Sequence, residues 1–536
     1  MSNGSVSVSR RVALDLAATH RFEPIVLDHL ADDLFLKDFR THPFDRQGLE
    51  AAAAARAFPE ERRAVLFDAL ERQYLNSDPH PAVRANLDLL ARPGTLTVTT
   101  GHQLCLFTGP LYVPFKILNA VRLARELSTV ERPVVPVFWM ATEDHDRAEI
   151  DHAWLNGHKV HWPGDTEGAV GHLYLHGMAA VLDAARAALG QGPHVQEVED
   201  ALRNCYRDGV TLAQATRDFV HHLFGRFGVV VIDGDDAALK AQFAPILQEE
   251  LLNSITERTV RYANDKLSVR YHTQAHVRPI NVFHLLEGKR ERIVAEDSGY
   301  RALEGPSWPT PDTLMDEVVA HPERFSPNVL LRPVYQEFVL PNIAMVGGGG
   351  EIAYWLQLRW LFQAVQVPMP VLVLRTSALL LGARDAHRLL DLGLDLSDLF
   401  APLDDLRSRV AKDTASFRTD LADERSRLNE LFETLAQRVK DADPTLEASV
   451  RGEAQKAAKG LDHLEQKLIR AAKREQEQML QRLDRIHAHA FPEGVLQERR
   501  ENILPWLVRH GTPLLDHLLA GLDPLEKRFS VLVLDQ

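Results

Sequence analysis

Three short segments place reactive residue types at the ends of β-branched, apolar runs. The first holds Thr99, Thr100, Gly101, His102 and Gln103 and continues through Gly109, Pro110 and Tyr112 to Lys116. Gly101 and Gly109 let backbone come close to a ligand. Pro110 suits the start of a helix, whose free N–H groups and positive dipole end would receive a carboxylate or phosphate. Gln103, Gly109, Pro110, Tyr112 and Lys116 are therefore candidate substrate-binding residues, and His102 is a candidate for proton transfer. A plain strand-to-helix turn would read the same way. The glycine spacing fits neither a phosphate-binding P-loop nor a dinucleotide fingerprint.

The second segment is Glu143, Asp144, His145 and Asp146. Carboxylates crowded at a strand end repel one another, which raises carboxyl pKa values and suits general-base work. Asp144 and His145 are the candidates to deprotonate an amine or thiol; a solvated acidic loop is the plain alternative. With Asp151 and His152 the cluster also contains metal-ligand types, but it matches no known His or Cys ligand spacing, so no metal site is assigned.

The third segment runs from Ser326 through Arg332, Gln336 and Asn342 to four consecutive glycines, Gly347 to Gly350, followed by Glu351, Tyr354 and Gln357. Four glycines weaken a fold and favour backbone approach to a ligand. Arg332 and Gln336 are four apart and Tyr354 and Gln357 three apart, so each pair shares a helical face. Arg332, Gln336, Asn342, Gly347, Gly348, Glu351, Tyr354 and Gln357 join the substrate-binding candidates. Cys105 has no neighbour that would stabilise its thiolate and is read as structural.

These segments need elements to hold them. Strands are expected at 95–100, 134–140, 229–233, 343–346 and 371–374, with helices between them, a rhythm that makes a doubly wound parallel sheet with its ligands beyond the strand ends. The expected organisation is an N-terminal helical lead-in at 1–92 and a core at 93–399 with insertions at about 155–220 and 260–325. An arm at 400–490 and a C-terminal segment at 491–536, docking on the core, complete it. The insertions read as small lobes of short strand-like runs. In the arm, one heptad-like stripe holds Val410, Thr414, Phe417, Leu421, Leu428, Leu431 and Leu435. A second holds Leu461, Leu464, Leu468 and Leu483, and Asp443-Pro444 stands between them. That pattern predicts two antiparallel helices, closing on themselves or also pairing two copies.

The chain has 536 residues and a formal charge of -14, which gives no electrostatic reason to bind nucleic acid or an anionic membrane. Two cysteines are too few for a disulfide framework and fit a reducing cytoplasm. Neither an export signal nor an apolar run of spanning length is read, so no membrane association is expected.

Taken together, these blocks resemble the bacillithiol biosynthesis cysteine-adding enzyme family, with similar order and spacing over essentially the whole chain. The resemblance rests on Thr100 to Gln103 with Leu106 to Tyr112, on Pro136 to Trp139 with Glu143 to Asp146, on Ser326 to Arg332 and on Gly347 to Trp355. It extends through Pro368 to Pro370 with Arg375 and Ser377, and through Gln497 to Arg499 with Asn502. It implies a Rossmann-like core with connective lobes and a coiled-coil arm that forms a homodimer. It also implies the last step of bacillithiol synthesis, in which cysteine is joined to the amine of glucosaminyl malate. Amide formation in water needs an activated acyl group, so ATP is the expected co-substrate. Arg375, Ser377, Arg499 and Asn502 then join the substrate-binding set, with Arg332 and Arg375 suited to carboxylates or phosphates. Two rivals stand beside this reading: a metal-dependent hydrolase or transferase using Glu143 to His152, and a non-catalytic nucleotide-binding scaffold.

Overall fold

The computed structural model describes residues 8–165 and 167–535. Residues 1–7 of the expected lead-in, residue 166 of the first insertion and residue 536 of the C-terminal segment lie outside the described residues. The chain forms two units. One contains the chain up to Leu380 and again from Leu496, and the other contains Leu381–Val495. All seven tryptophans belong to the first unit, so intrinsic fluorescence follows that unit alone.

Five strands make the central sheet of the first unit: β1 (Leu96–His102), β2 (Val134–Met140), β3 (Val230–Asp233), β4 (Asn342–Gly347) and β5 (Val371–Leu374). Every pairing is parallel, and the order is β5-β4-β1-β2-β3. The chain therefore winds outward from β1 in one direction and returns to its other side at β4, the Rossmann-like arrangement expected. β2 is buried on both faces, which explains its uninterrupted apolar sequence. The threonines of β1 are also buried, and their hydroxyls find partners next door. Thr97 and Thr99 donate to Asn342 Oδ1 at 3.2 and 2.9 Å, and Thr100 donates to the Val346 carbonyl at 2.8 Å. The reversal point of the winding thus lies between β1 and β4, where ligand crevices open in such sheets.

Four helices carry site residues: α1 (Tyr112–Leu127), α2 (Ala237–Asn253), α3 (Arg332–Val339) and α4 (Gly349–Leu356). Ahead of the sheet, helices occupy Pro24–Leu30, Arg46–Ala55, Glu60–Tyr74 and Pro81–Leu90. A strand at Val8–Leu14 precedes them and pairs antiparallel with Phe529–Leu534, so both ends of the described chain share one sheet.

His29, on the first of those helices, is fully buried and bonds through Nε2 to the Leu372 carbonyl at 2.9 Å. Burial lowers its pKa to about 4. Because the folded-state pKa is depressed, the unfolded chain takes up a proton that the native state refuses, and stability falls as pH drops from 6.5 toward 4. For this one group the loss is about 3 kcal/mol over that window. Urea unfolding followed by tryptophan fluorescence at pH 6.5 and 4.5 should show a shallower pH dependence for His29→Gln than for the wild type.

The first insertion differs from the short strand-like runs expected. After one hairpin, His152–Leu155 with His158–His161, it is helical at Met178–Leu189, Val195–Cys205 and Leu212–Phe224. Val198, Ala201, Leu202 and Cys205 explain why: their spacing puts one apolar stripe into the core. The second insertion begins with a helix, Ile255–Leu267, and contains a five-stranded antiparallel sheet. Its order is Ser307–Trp308, Tyr300–Ala302, Lys289–Ala295, Val282–Leu286, Phe325–Pro327.

In the second unit the chain runs out through Leu403–Thr414 and α5 (Ala422–Ala442), turns at Pro444–Leu446, and returns through α6 (Glu447–Glu475) and Glu477–Ala490. The coiled coil is as expected, but its seam is not the full predicted stripe. Leu421, just ahead of α5, and Leu428, Phe432, Leu435 and Val439 within it are half-buried, while Leu431 is 55% exposed. Phe432 sits four residues after Leu428 and three before Leu435, and its neighbour Leu431 is turned about 100° away. On α6, Leu461 and Leu468 keep the seam and Leu464 is 51% exposed.

Candidate active site

A cavity of about 770 Å³ opens at the carboxyl ends of β1, β2 and β4, a volume within the usual range for small-molecule sites. From the end of β1 come Gly101 and His102, from the residue after it Gln103, from α1 Tyr112 and Lys116, and from the loop after β2 Glu143, Asp144 and His145. The third segment supplies Arg332, Gly348, Gly350, Glu351 and Tyr354, and Arg375 and Arg499 complete that wall. The three sequence segments therefore converge on one space.

The deep wall is a set of paired charges. Lys116 is buried, ion-pairs with Glu351 at 2.5 Å and donates to the Gly101 carbonyl at 3.0 Å. Burial pushes its pKa down and Glu351 pulls it back. Glu351 also accepts from the Gly348 N–H at 2.8 Å, closing the start of α4 from the third helical position. Arg375 forms a two-pronged pair with Glu498, at 2.9 and 2.8 Å, and touches Ser377 Oγ at 3.2 Å. Its Nε is buried with no protein partner and points toward Gly348. Arg332 donates to Gln336 at 3.0 Å and bonds with Tyr354.

His102 stands edge-on to Tyr112, and its Nε2 lies 3.4 Å from the tyrosine hydroxyl and 3.6 Å from Cys105 Sγ. Burial, reinforced by Lys116 and Arg375, holds its pKa well below the usual imidazole value. His102 is thus neutral and has no imidazolium proton to give. Burial also pushes the Cys105 thiol up to about 12, with Glu149 and Asp144 adding to it, so Cys105 is a packed side chain and not a nucleophile.

Among the lining carboxylates, Asp144 is the one held by neutral donors. Its Oδ2 accepts from Gln103 Nε2 at 2.7 Å and its Oδ1 from the His145 N–H at 2.8 Å. His145 offers Nδ1 to Arg290 at 3.2 Å and packs against Phe283. The remaining members of the acidic cluster do not gather around a point. Glu143 turns to Lys240, while Asp151 sits between His152 and His161 at 3.0 and 3.1 Å. Among the described residues no group of three His, Cys, Asp or Glu is placed to hold a metal ion.

Eight of the expected binding residues do not line this cavity. Asn342 is buried between the β1 threonines and Glu337, to which it donates at 2.9 Å, and Gln336 is buried between Arg332 and Glu337. Gln357 ties the second insertion through Asn264 and Ala275. Gly347 accepts from the Arg375 N–H, and Ser377 supports Arg375 and accepts from Ser530. Gly109 and Pro110 face the C-terminal segment, because the start of α1 is met by the Glu501 carbonyl, which accepts from the Leu111 N–H at 2.7 Å. That helix start is therefore not the anion seat read from Pro110.

Asn502 explains the same loop. Phe107, Thr108 and Gly109 all have positive φ, and the Asn502 amide donates to the Phe107 and Gly109 carbonyls at 2.9 and 2.5 Å. A side chain at Gly109 would meet Cys105 at 2.7 Å. Asn502→Ala leaves two buried carbonyls unpaired and is expected to cost about 2 kcal/mol, read as a lower urea midpoint by tryptophan fluorescence.

The second insertion contributes residues that sequence reasoning did not select: Arg278, Phe283, Arg290 and Arg292. Arg290 and Arg292 lie two apart on Lys289–Ala295, so the strand period puts them on one face, and that was the available signal. Arg290 is fixed by Ser326 Oγ at 2.9 Å, the Pro327 carbonyl at 2.9 Å and the Phe283 ring. In all, seven arginines and lysines line the cavity against three carboxylates, a cationic interior in a chain of net charge -14.

Known proteins share this organisation. Residues 13–376 match the family described as "Bacillithiol biosynthesis BshC, N-terminal Rossmann-like domain", and residues 378–534 match its C-terminal coiled-coil domain. Relatives named "Putative cysteine ligase BshC" include one from Flavobacterium johnsoniae, 35% identical over 96% of this chain and 98% of its own. Another, from Christiangramia forsetii, is 35% identical over 96% and 97% of the two chains. A third, from Flavobacterium psychrophilum, is 36% identical over 88% and 89%. A Rossmann-like sheet with its crevice at the winding reversal, an antiparallel coiled coil and near full-length similarity agree with one another: the chain belongs to the bacillithiol biosynthesis BshC family.

Proposed function

We propose that this chain is a cytoplasmic cysteine ligase that joins the carboxyl group of L-cysteine to the amine of glucosaminyl malate, with ATP activating the carboxyl group. The observation that carries the reading is the composition of the cavity. Cationic residues suited to malate carboxylates and phosphates share the cavity with a carboxylate, Asp144, held by neutral donors. In this reading the cysteine carboxylate attacks ATP at the α-phosphate, expelling pyrophosphate and giving an acyl adenylate, or at the γ-phosphate, expelling ADP and giving an acyl phosphate. The sugar amine then attacks the acyl carbon, AMP or inorganic phosphate leaves, and Asp144 takes the amine proton. Arg332, Arg499 and the Nε–H of Arg375 hold the anionic groups. The exposed Leu431 and Leu464 outside the internal seam support pairing of two copies through the arm.

The test is mass-spectrometric detection of the cysteinyl amide after mixing purified protein with glucosaminyl malate, cysteine and ATP, with ATP omitted in parallel. Product that depends on ATP is expected. Nucleotide binding without product under any condition would replace the ligase reading with that of a scaffold.

A further inference from the structure

Behind the loop after β2 lies a line of ionisable groups that the ligase reading leaves unused. Lys240, on α2, is 2% exposed and reaches two carboxylates at once: Glu143 Oε1 at 2.7 Å and Asp235 Oδ1 at 2.5 Å. Its ammonium also donates to the Glu323 carbonyl at 3.0 Å. Asp235 turns its other oxygen to His172 Nε2 at 2.6 Å. Burial works against each charge. For Lys240 the two carboxylates outweigh it, for Asp235 Lys240 and His172 outweigh it, and for Glu143 burial prevails and raises the carboxyl pKa.

One cation is thus divided between two acids, and Glu143 is incompletely neutralised. Its Oε1 is sealed against Lys240, and the 12% of the side chain left accessible belongs to the cavity lining. The other lining acids are otherwise engaged: Glu351 by Lys116 and Gly348, Asp144 by Gln103 and His145. Arg290 is the further charged group acting on Glu143, and its own hydrogen bonds run to Ser326, Pro327 and His145. In a wall of arginines, a fixed and partly compensated carboxylate selects a small cation.

We propose that Glu143 receives the α-ammonium group of the cysteine substrate, and that Lys240 and Asp235 are positioning residues that hold its carboxylate in the cavity. This rests on the ligase reading. The smaller substrate takes the inner position and the bulkier amino sugar the mouth, beside Asp144. An ammonium ligand adds a cation in direct contact with Glu143 and favours its ionised form.

The experiment compares cysteine with 3-mercaptopropionate, which lacks the amine, both as ligands in calorimetry and as acyl donors with ATP and glucosaminyl malate. The wild type should prefer cysteine. Glu143→Gln, close to isosteric, should weaken cysteine by roughly 30-fold or more and leave 3-mercaptopropionate nearly unchanged, collapsing the preference. Lys240→Met should erode the same preference while the KM for the amino sugar stays put, a split that general loosening of the fold would not give. A Glu143→Gln protein that keeps the preference overturns the proposal. Cysteine binding that obeys these expectations with no amide formed by the wild type would sink the ligase reading and leave the ammonium site standing.

Discussion

Glu498→Leu is expected to destabilise the first unit by about 3–5 kcal/mol. The reason is the state in which it leaves Arg375. That guanidinium is 4% exposed and Glu498 is 1% exposed, and the carboxylate also accepts from the Ala378 N–H at 2.8 Å. Removing the acid leaves a largely buried cation without its counter-charge and an unpaired Ala378 N–H. Urea unfolding followed by tryptophan fluorescence reads the effect in this unit alone. The double variant Arg375→Met, Glu498→Leu removes both charges and should recover most of the lost stability. It should not recover amide formation, because the Nε–H aimed at Gly348 is gone with Arg375. A single variant as stable as wild type would show that water enters this pair and that the wall behind Gly348 is not dry.

That pair also shows what could and could not be read from sequence. The five strands were legible because they are short apolar, β-branched runs, three of them ending at Gly101, Gly234 and Gly347, and a parallel sheet buried on both faces permits little else there. The arm was legible as heptads, yet Leu431 and Leu464 were placed in the seam. Leucine is apolar on either side of a helix, and only the partner's surface decides between Leu431 and Phe432. Among polar residues the limit is sharper. Arg332 and Asn342 look alike as motif members, but one lines the cavity and the other satisfies threonine hydroxyls inside the wall. A buried polar residue needs a partner as surely as a catalytic one does, so residue type alone cannot separate them. The shared face of Arg290 and Arg292 was readable, but that these arginines and Lys240 come to the site was not. Their place at the site depends on where an inserted sheet and the helix after β3 come to rest, which is a tertiary fact.

In the proposed ligase reaction, Asp144→Asn is expected to lower kcat by about 10²–10⁴-fold, with KM for both organic substrates within about threefold of wild type. An amine attacking an acyl carbon must shed a proton as the bond forms, and an amide side chain cannot take it. The substitution keeps the shape, and it retains an oxygen to accept from the His145 N–H or from Gln103. Its new NH₂ group, however, faces one of those donors, so the side chain must turn or Gln103 must flip its amide. The cost of that mismatch falls on geometry at the mouth and adds to the lost base. Steady-state rates at saturating cysteine, ATP and glucosaminyl malate separate this from a binding defect, since a defect confined to binding disappears at saturation. Turnover unchanged in Asp144→Asn would remove Asp144 from proton transfer. His145 would then be the remaining candidate, through its Nε2, because its Nδ1 is already engaged by Arg290.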